Sequence, residues 1–170
     1  MPGLENYLAL VSRVDELCCR TAESFAAQIS CRAGCDACCR HLSIFAVEAA
    51  TVRQALSGLA KEDAALVRRT AESALPGDPC PLLHEGLCLL YQARPIICRT
   101  HGLPLLLKRD GADCIDFCPE NFQDLPSIPG NAVIDLERLN TMLAAINALY
   151  LRAFPGPERL TMAQALTLPD

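Results

Sequence analysis

The chain has 170 residues and a formal net charge of −5, from 15 basic and 20 acidic side chains. That length suits one domain, residues 1–170, with a core that needs no staples. The acidic balance, with no Trp, three Tyr and five Phe, argues against a nucleic-acid partner. Eleven cysteines exceed ordinary usage yet fall short of the roughly 8–10 % that marks a small disulfide scaffold, so they need a chemical explanation more than a stability one.

The opening residues, Met1 to Asn6, lack the basic start and apolar stretch of a secretory signal. No apolar run approaches the roughly 18 residues of a membrane span. The expected setting is the cytoplasm, with no membrane partner. Clustered thiols in that reducing compartment bind metal or do redox chemistry more often than they pair. The odd cysteine count agrees.

In chain order, Leu4, Tyr7, Val11, Val14, Cys18 and Phe25 fall on one stripe and predict an amphipathic helix over 4–28. Residues 31–41 break the pattern and read as a loop. Helical character resumes after Ser43, with Val52, Leu56 and Leu59 in register and a break near Gly58. A further helix runs from Glu62 to about Ala74, acidic first and basic later, as the helix dipole prefers. Residues 75–88 are a Pro- and Gly-rich loop. Leu89 to Arg94 predicts a short helical turn, and Pro95 either breaks it or starts the turn carrying Ile96, Ile97 and Cys98.

Two runs, 105–108 and 113–117, flank Asp110-Gly111, a favoured two-residue hairpin turn. Residues 119–131 are a connector. Leu136, Leu139, Leu143, Ile146 and Tyr150 mark the clearest helix, 135–154, with Asp135 as N-cap and Pro155-Gly156-Pro157 as the stop. One more short helix closes the chain. The expected fold is mostly α: a helical domain with long cysteine-bearing loops and room for one short β-hairpin.

The cysteines sort into groups. Cys18 and Cys19 read as small hydrophobes packed within the first helix. Cys31, Cys35, Cys38 and Cys39 lie within nine residues, among glycine and charged side chains, which core filling does not explain. Cys35-x-x-Cys38 lets two sulfurs from a tight turn reach one ion, and Gly34 supplies the backbone freedom. Side chains of the adjacent Cys38 and Cys39 diverge, so one ligates and the other serves a second site or packs. Cys80, Cys88 and Cys98 are spread along a loop and a turn, where only tertiary folding brings them together. Were 113–118 one strand, Cys114 and Cys118 would sit about 13 Å apart at roughly 3.3 Å per residue. Cys118 is the better ligand candidate, since it lies where strand gives way to loop.

These residues resemble the YkgJ-type cysteine-cluster proteins, described as zinc- or iron-chelating. The carrying motifs are Cys31-Arg-Ala-Gly-Cys35-Asp-Ala-Cys38-Cys39, Cys80, Cys88-Leu-Leu-Tyr91, Arg94-Pro95, Cys98-Arg99 and the later Cys118. The likeness spans about residues 31–118. One departure is the first gap, three residues where the family has two, which bears on Cys31. The resemblance implies a metal or iron–sulfur centre held by Cys31, Cys35, Cys38, Cys39, Cys80, Cys88, Cys98 and Cys118. A related cluster occurs in flagellin lysine N-methylases, which makes a metal-dependent enzyme linked to protein methylation the alternative.

Zinc and a [4Fe–4S] cluster both accept four thiolates, so ligand count does not choose between them. Eight cysteines allow two four-thiolate sites or one site with spare thiols. The expected function is a metal-binding protein with a structural, redox or sensory role. Cys31-x3-Cys35-x2-Cys38 is also the radical S-adenosylmethionine spacing, but the long barrel of such enzymes is missing and Ala37 sits where an aromatic is usual. Thiol–disulfide exchange through Cys35 and Cys38 lacks its βαβ context. His41 and His101 lie near cluster cysteines as candidate ligands, Tyr91 reads as packing beneath the site, and Arg94 and Arg99 either offset thiolate charge or are solvated. No catalytic set, substrate or protein partner is legible.

Overall fold

The computed structural model describes residues 3–123 and 125–168. Among the described residues, six α-helices carry most of the regular secondary structure: α1 (Glu5–Ser24), α2 (Ala46–Ser57), α3 (Lys61–Ser73), α4 (Ile96–Thr100), α5 (Leu136–Ala153) and α6 (Met162–Thr167). Seven short strands accompany them: β1 (Ser43–Phe45), β2 (Leu83–His84), β3 (Leu87–Cys88), β4 (Leu105–Arg109), β5 (Ala112–Asp116), β6 (Ile134–Asp135) and β7 (Arg159–Thr161). The fold is mostly helical, with more than the one hairpin expected. No helix among the described residues is long and apolar enough to cross a membrane.

α2 is the pivot. Its run of small and branched apolar residues is buried on two sides. Ala49, Val52 and Leu56 face a cluster completed by Val67 of α3, Leu82, Leu90, and Met162, Ala165 and Leu166 of α6. Val47 and Ala50 face a second cluster built from Tyr7, Leu10 and Val14 of α1, Ile96 of α4, Leu105 of β4, and Leu139 and Leu143 of α5. Small side chains along α2 suit a helix with neighbours on two flanks, because they keep interhelical spacing short.

Two polar side chains pin this pivot. Glu48 is 3 % exposed, and its carboxylate accepts the Phe45 N–H at 3.0 Å and the Ile96 N–H at 2.9 Å. It thereby satisfies first-turn donors of α2 and α4 together, groups that helix geometry leaves unpaired. Asn147, buried on α5, accepts the Val47 N–H at 3.1 Å.

The Asp110-Gly111 hairpin forms as expected. Both turn residues have positive φ (54° and 82°), the requirement of a type I′ turn, and Leu107 pairs with Cys114. β5 stops at Asp116, which leaves Cys118 beyond the strand. Asp135 caps α5 by accepting the Arg138 N–H at 2.9 Å, and Pro95 starts α4 rather than merely ending the turn before it.

Three features depart from expectation. Residues 83–88 form a second hairpin, β2 with β3, turning at Glu85-Gly86 with φ of 49° and 77°. β1 pairs antiparallel with β7, and β4 parallel with β6, joining distant segments. Cys19 does not pack: it is exposed, and its thiol donates to Glu23 at 3.2 Å. Cys18 does pack against the second cluster, and burial pushes its thiol up to about 11.

Candidate metal centre

Four segments bring the cysteines together. The Cys38-Cys39 turn is tightened by the Cys39 N–H donating to Asp36 O at 2.8 Å. It is then stitched to the next cysteine segment. Cys80 N–H donates to Cys39 O at 2.9 Å, His41 N–H to Asp78 O at 2.9 Å, and Arg40 bridges Pro79. The β2–β3 hairpin folds the chain back so that Cys88 lies opposite Leu83, three residues past Cys80. Cys80 and Cys88 therefore meet through local structure, not through tertiary folding alone. Cys98 arrives on α4, which the Glu48 carboxylate holds two residues upstream at Ile96.

The result is an inner set: Cys39, Cys80, Cys88 and Cys98, all half-buried. Cys80 and Cys88 rest against the α2–α3–α6 cluster. Every pair in the set is close enough for one thiolate to disfavour another. Burial is the larger cause. It pushes Cys80 up to about 11 and Cys98 up to about 12, and raises Cys39 and Cys88 as well. The backbone N–H groups of Leu82 and Leu90, near the sulfurs of Cys80 and Cys88, oppose that rise.

An outer set lies beside it. Cys31, Cys35 and Cys118 line one cavity of about 290 Å³ with Gly34, Glu120 and Asn121, and Cys38 neighbours both Cys35 and Cys31. Gly34 takes φ +87°, the freedom its turn demands. Cys39 neighbours Cys38 and Cys35 as well as Cys88, so the expected divergence of the adjacent Cys38 and Cys39 is not seen and the two sets adjoin at this pair. Cys114 stays on β5, outside both.

The donor set fits a thiophilic metal. Four thiols gathered in a half-buried site repel one another once ionised, and a cation of charge +2 or more reverses that cost. Arg94 adds a second sign. Its Nε is a buried donor without a hydrogen-bond partner, and its charge acts on Cys88 to favour the thiolate. Among the described residues, no three His, Cys, Asp or Glu side chains are already closed to coordination geometry. The sulfurs are gathered but not drawn in.

The sequence of the CxxCxxCC family, whose description reads "Putative zinc- or iron-chelating domain", matches residues 30–119. The chain belongs to the CxxCxxCC family. That span contains both cysteine sets and the two hairpins between them. No curated protein and no solved structure matches.

Of the other candidates in this CxxCxxCC chain, His41 and Arg99 are committed to partners other than the cysteines. The Ala163 N–H donates to His41 Nε2 at 3.2 Å, so Nδ1 carries the proton toward Leu75 O at 3.0 Å. Both nitrogens are used by backbone, and His41 is a clasp for α6. His101 ends α4, exposed, and His84 sits on the exposed side of β2. Tyr91 is 55 % exposed; instead of packing beneath the cysteines it supports Arg94, whose guanidinium lies 3.4 Å from the ring centroid. Arg99 is neither solvated nor a thiolate partner. It grips Asp15 of α1 at 2.6 and 2.8 Å and donates to Arg94 O and Gln92 O.

One residue at this site had no precursor in the motif. Asn121 is 0 % exposed. Its Oδ1 accepts the Ser30 N–H at 2.8 Å, and its Nδ2 donates to Gly102 O at 2.7 Å and to Cys31 Sγ at 3.4 Å. It ties the Cys31 and Cys118 segments to the end of α4. A lone Asn in a Pro-rich connector carries no spacing signal, so sequence alone does not single it out.

Proposed function

We propose that this chain is a cytoplasmic metal-binding protein whose centre is held by the thiolates of Cys39, Cys80, Cys88 and Cys98. The observation that carries the reading is the inner set: four thiols from separate segments, each a neighbour of the other three, against a packed core. Four thiolates accept zinc or a [4Fe–4S] cluster. We read the occupant in the cell as the iron–sulfur cluster, with zinc able to take the same ligands. A cluster supplies one-electron redox chemistry to such a site; zinc supplies a rigid cross-link.

The chain's own part is positional. Glu48 fixes the helix that carries Cys98, the β2–β3 hairpin sets Cys80 against Cys88, and two backbone N–H groups support sulfur, as outer partners of a metal ligand do. Because the centre joins segments 39, 80, 88 and 98, metal binding and folding are coupled. The test is an anaerobic preparation analysed for iron, acid-labile sulfide and zinc, with its visible spectrum. Iron and sulfide near equimolar, with a broad band that bleaches on reduction, support the cluster; zinc alone supports the structural form. Absence of all three overturns the reading.

A further inference from the structure

A cleft of about 520 Å³ opens between the start of α2, α4 and α5, and no cysteine lines it among the described residues. We propose that it binds a medium-chain aliphatic carboxylate, with the carboxylate on Arg159 and the chain laid between α4 and α5. Such a ligand is independent of any metal, because the cleft uses none of the cysteine motif.

Arg159 sets the charge. It stands exposed on β7, where its guanidinium lies 4.2 Å from the centroid of the Phe45 ring and its Nη2 donates to Ser43 O at 2.9 Å. Those two contacts hold the side chain at the cleft. Among the described residues it forms no ion pair, and its Nε and Nη1 have no hydrogen-bond partner. A held guanidinium with unspent donors matches a carboxylate, whose two oxygens accept from the fork of N–H groups. Glu48 is the one acidic side chain among the described lining residues. The Arg159 charge reaches it, but its oxygens are already spent on the Phe45 and Ile96 N–H groups and it is buried. Arg159 is left for a ligand.

The walls select the body of that ligand. Ile97 of α4 and Leu136, Leu143 and Ala144 of α5 line the cleft, so each CH2 that leaves water there adds to affinity. Phe45 is the aromatic side chain of the lining, and Arg159 already covers its ring. A flat aromatic ligand therefore gains no stacking there, whereas a flexible aliphatic chain needs none. Mostly apolar walls with a few polar groups, at this volume, are the makeup of small-molecule sites, which run roughly 300–1,000 Å³. α4 gives Ile97 and Thr100 to the cleft and Cys98 to the inner set. The occupant thus borders the cysteine region on the helix that Glu48 holds.

The test titrates the full chain with octanoate, below its micelle concentration, and with the uncharged octanamide, following methyl NMR signals of Ile and Leu. The expected result is saturable shifts at Ile97, Leu136 and Leu143, with Leu56 in the other cluster unmoved. Octanamide binds at the same residues about 10-fold more weakly, since it lacks the charge-assisted bonds. Arg159→Gln brings octanoate down to the affinity of octanamide and leaves octanamide unchanged. Ala144→Phe fills the cleft and removes both ligands; should that variant not fold, Arg159→Gln at its exposed position still decides. Equal affinity for octanoate and octanamide, or octanoate binding unchanged in Arg159→Gln, overturns the proposal. So do shifts that never saturate or that scatter beyond the cleft.

Discussion

Replacing Glu48 by Gln keeps the shape of the side chain and removes one of its two acceptors. The wild-type carboxylate spans the Phe45 and Ile96 N–H groups at 3.0 and 2.9 Å. An amide satisfies one with its oxygen and turns an NH2 toward the other. A buried donor left unsatisfied costs about 1–3 kcal/mol, so Glu48→Gln lowers the unfolding free energy by about that amount. The assay is urea denaturation followed by circular dichroism, with metal concentration held fixed, because a ligand that binds only the folded chain adds its own stabilisation. The pH dependence carries a sign. Burial raises the Glu48 carboxyl above its usual range, against the Phe45 and Ile96 N–H bonds and the Arg159 charge, which lower it. Tyr7 and Cys98 also sense its charge. A raised folded value means that its contribution is complete below the unfolded value and fades as pH rises through the folded one. The difference between wild type and Glu48→Gln is thus largest below the range of an unfolded carboxyl and shrinks as pH rises above it. A variant within about 0.5 kcal/mol of wild type, or a difference that grows with pH, refutes the reasoning.

Three further outcomes follow from the same structure. Gly102→Ala forces a Cβ against Cys31 at 3.1 Å with φ +87°; it costs about 1–3 kcal/mol and raises the maleimide reactivity of Cys31 relative to Cys19. In metal-free protein the Cys80 and Cys98 thiols, pushed up to about 11 and about 12 by burial, stay protonated at neutral pH. Stopped-flow Zn2+ titration therefore finds inner-site affinity rising with pH, since metal must displace those protons; affinity flat from pH 6 to 9 contradicts this. Asp135→Ala removes the α5 cap at 2.9 Å and lowers the denaturation midpoint by the equivalent of about 1 kcal/mol.

What the sequence made legible was local. Asp135, the apolar rows of α1 and α5, and Asp110-Gly111 each encode their element in a few neighbouring residues. The cysteine spacing made the CxxCxxCC family legible, while the contact between the adjacent Cys38 and Cys39 thiols was not foreseen. The β2–β3 hairpin escaped because Glu85-Gly86 is not a favoured type I′ pair, although Glu85 accepts positive φ there. The β1–β7 and β4–β6 pairings escaped because strands of two or three residues have no period to detect. Asn121 and the Arg99–Asp15 pair owe their roles to contacts across 91 and 84 residues, which no spacing within the cysteine region foretells. Cys19 shows the limit of reading a helix face from one side: its neighbour Cys18 is on the stripe, and 100° further round the helix lies solvent.

The central claim is that four sulfurs, and no histidine, hold the inner metal. X-ray absorption at the metal edge of the anaerobically prepared chain measures this directly. An all-sulfur first shell, at about 2.3 Å if the metal is zinc, is the predicted result, with Cys88→Ser reducing the sulfur count. A first shell containing imidazole nitrogen, or a Cys88→Ser spectrum identical to wild type, contradicts it.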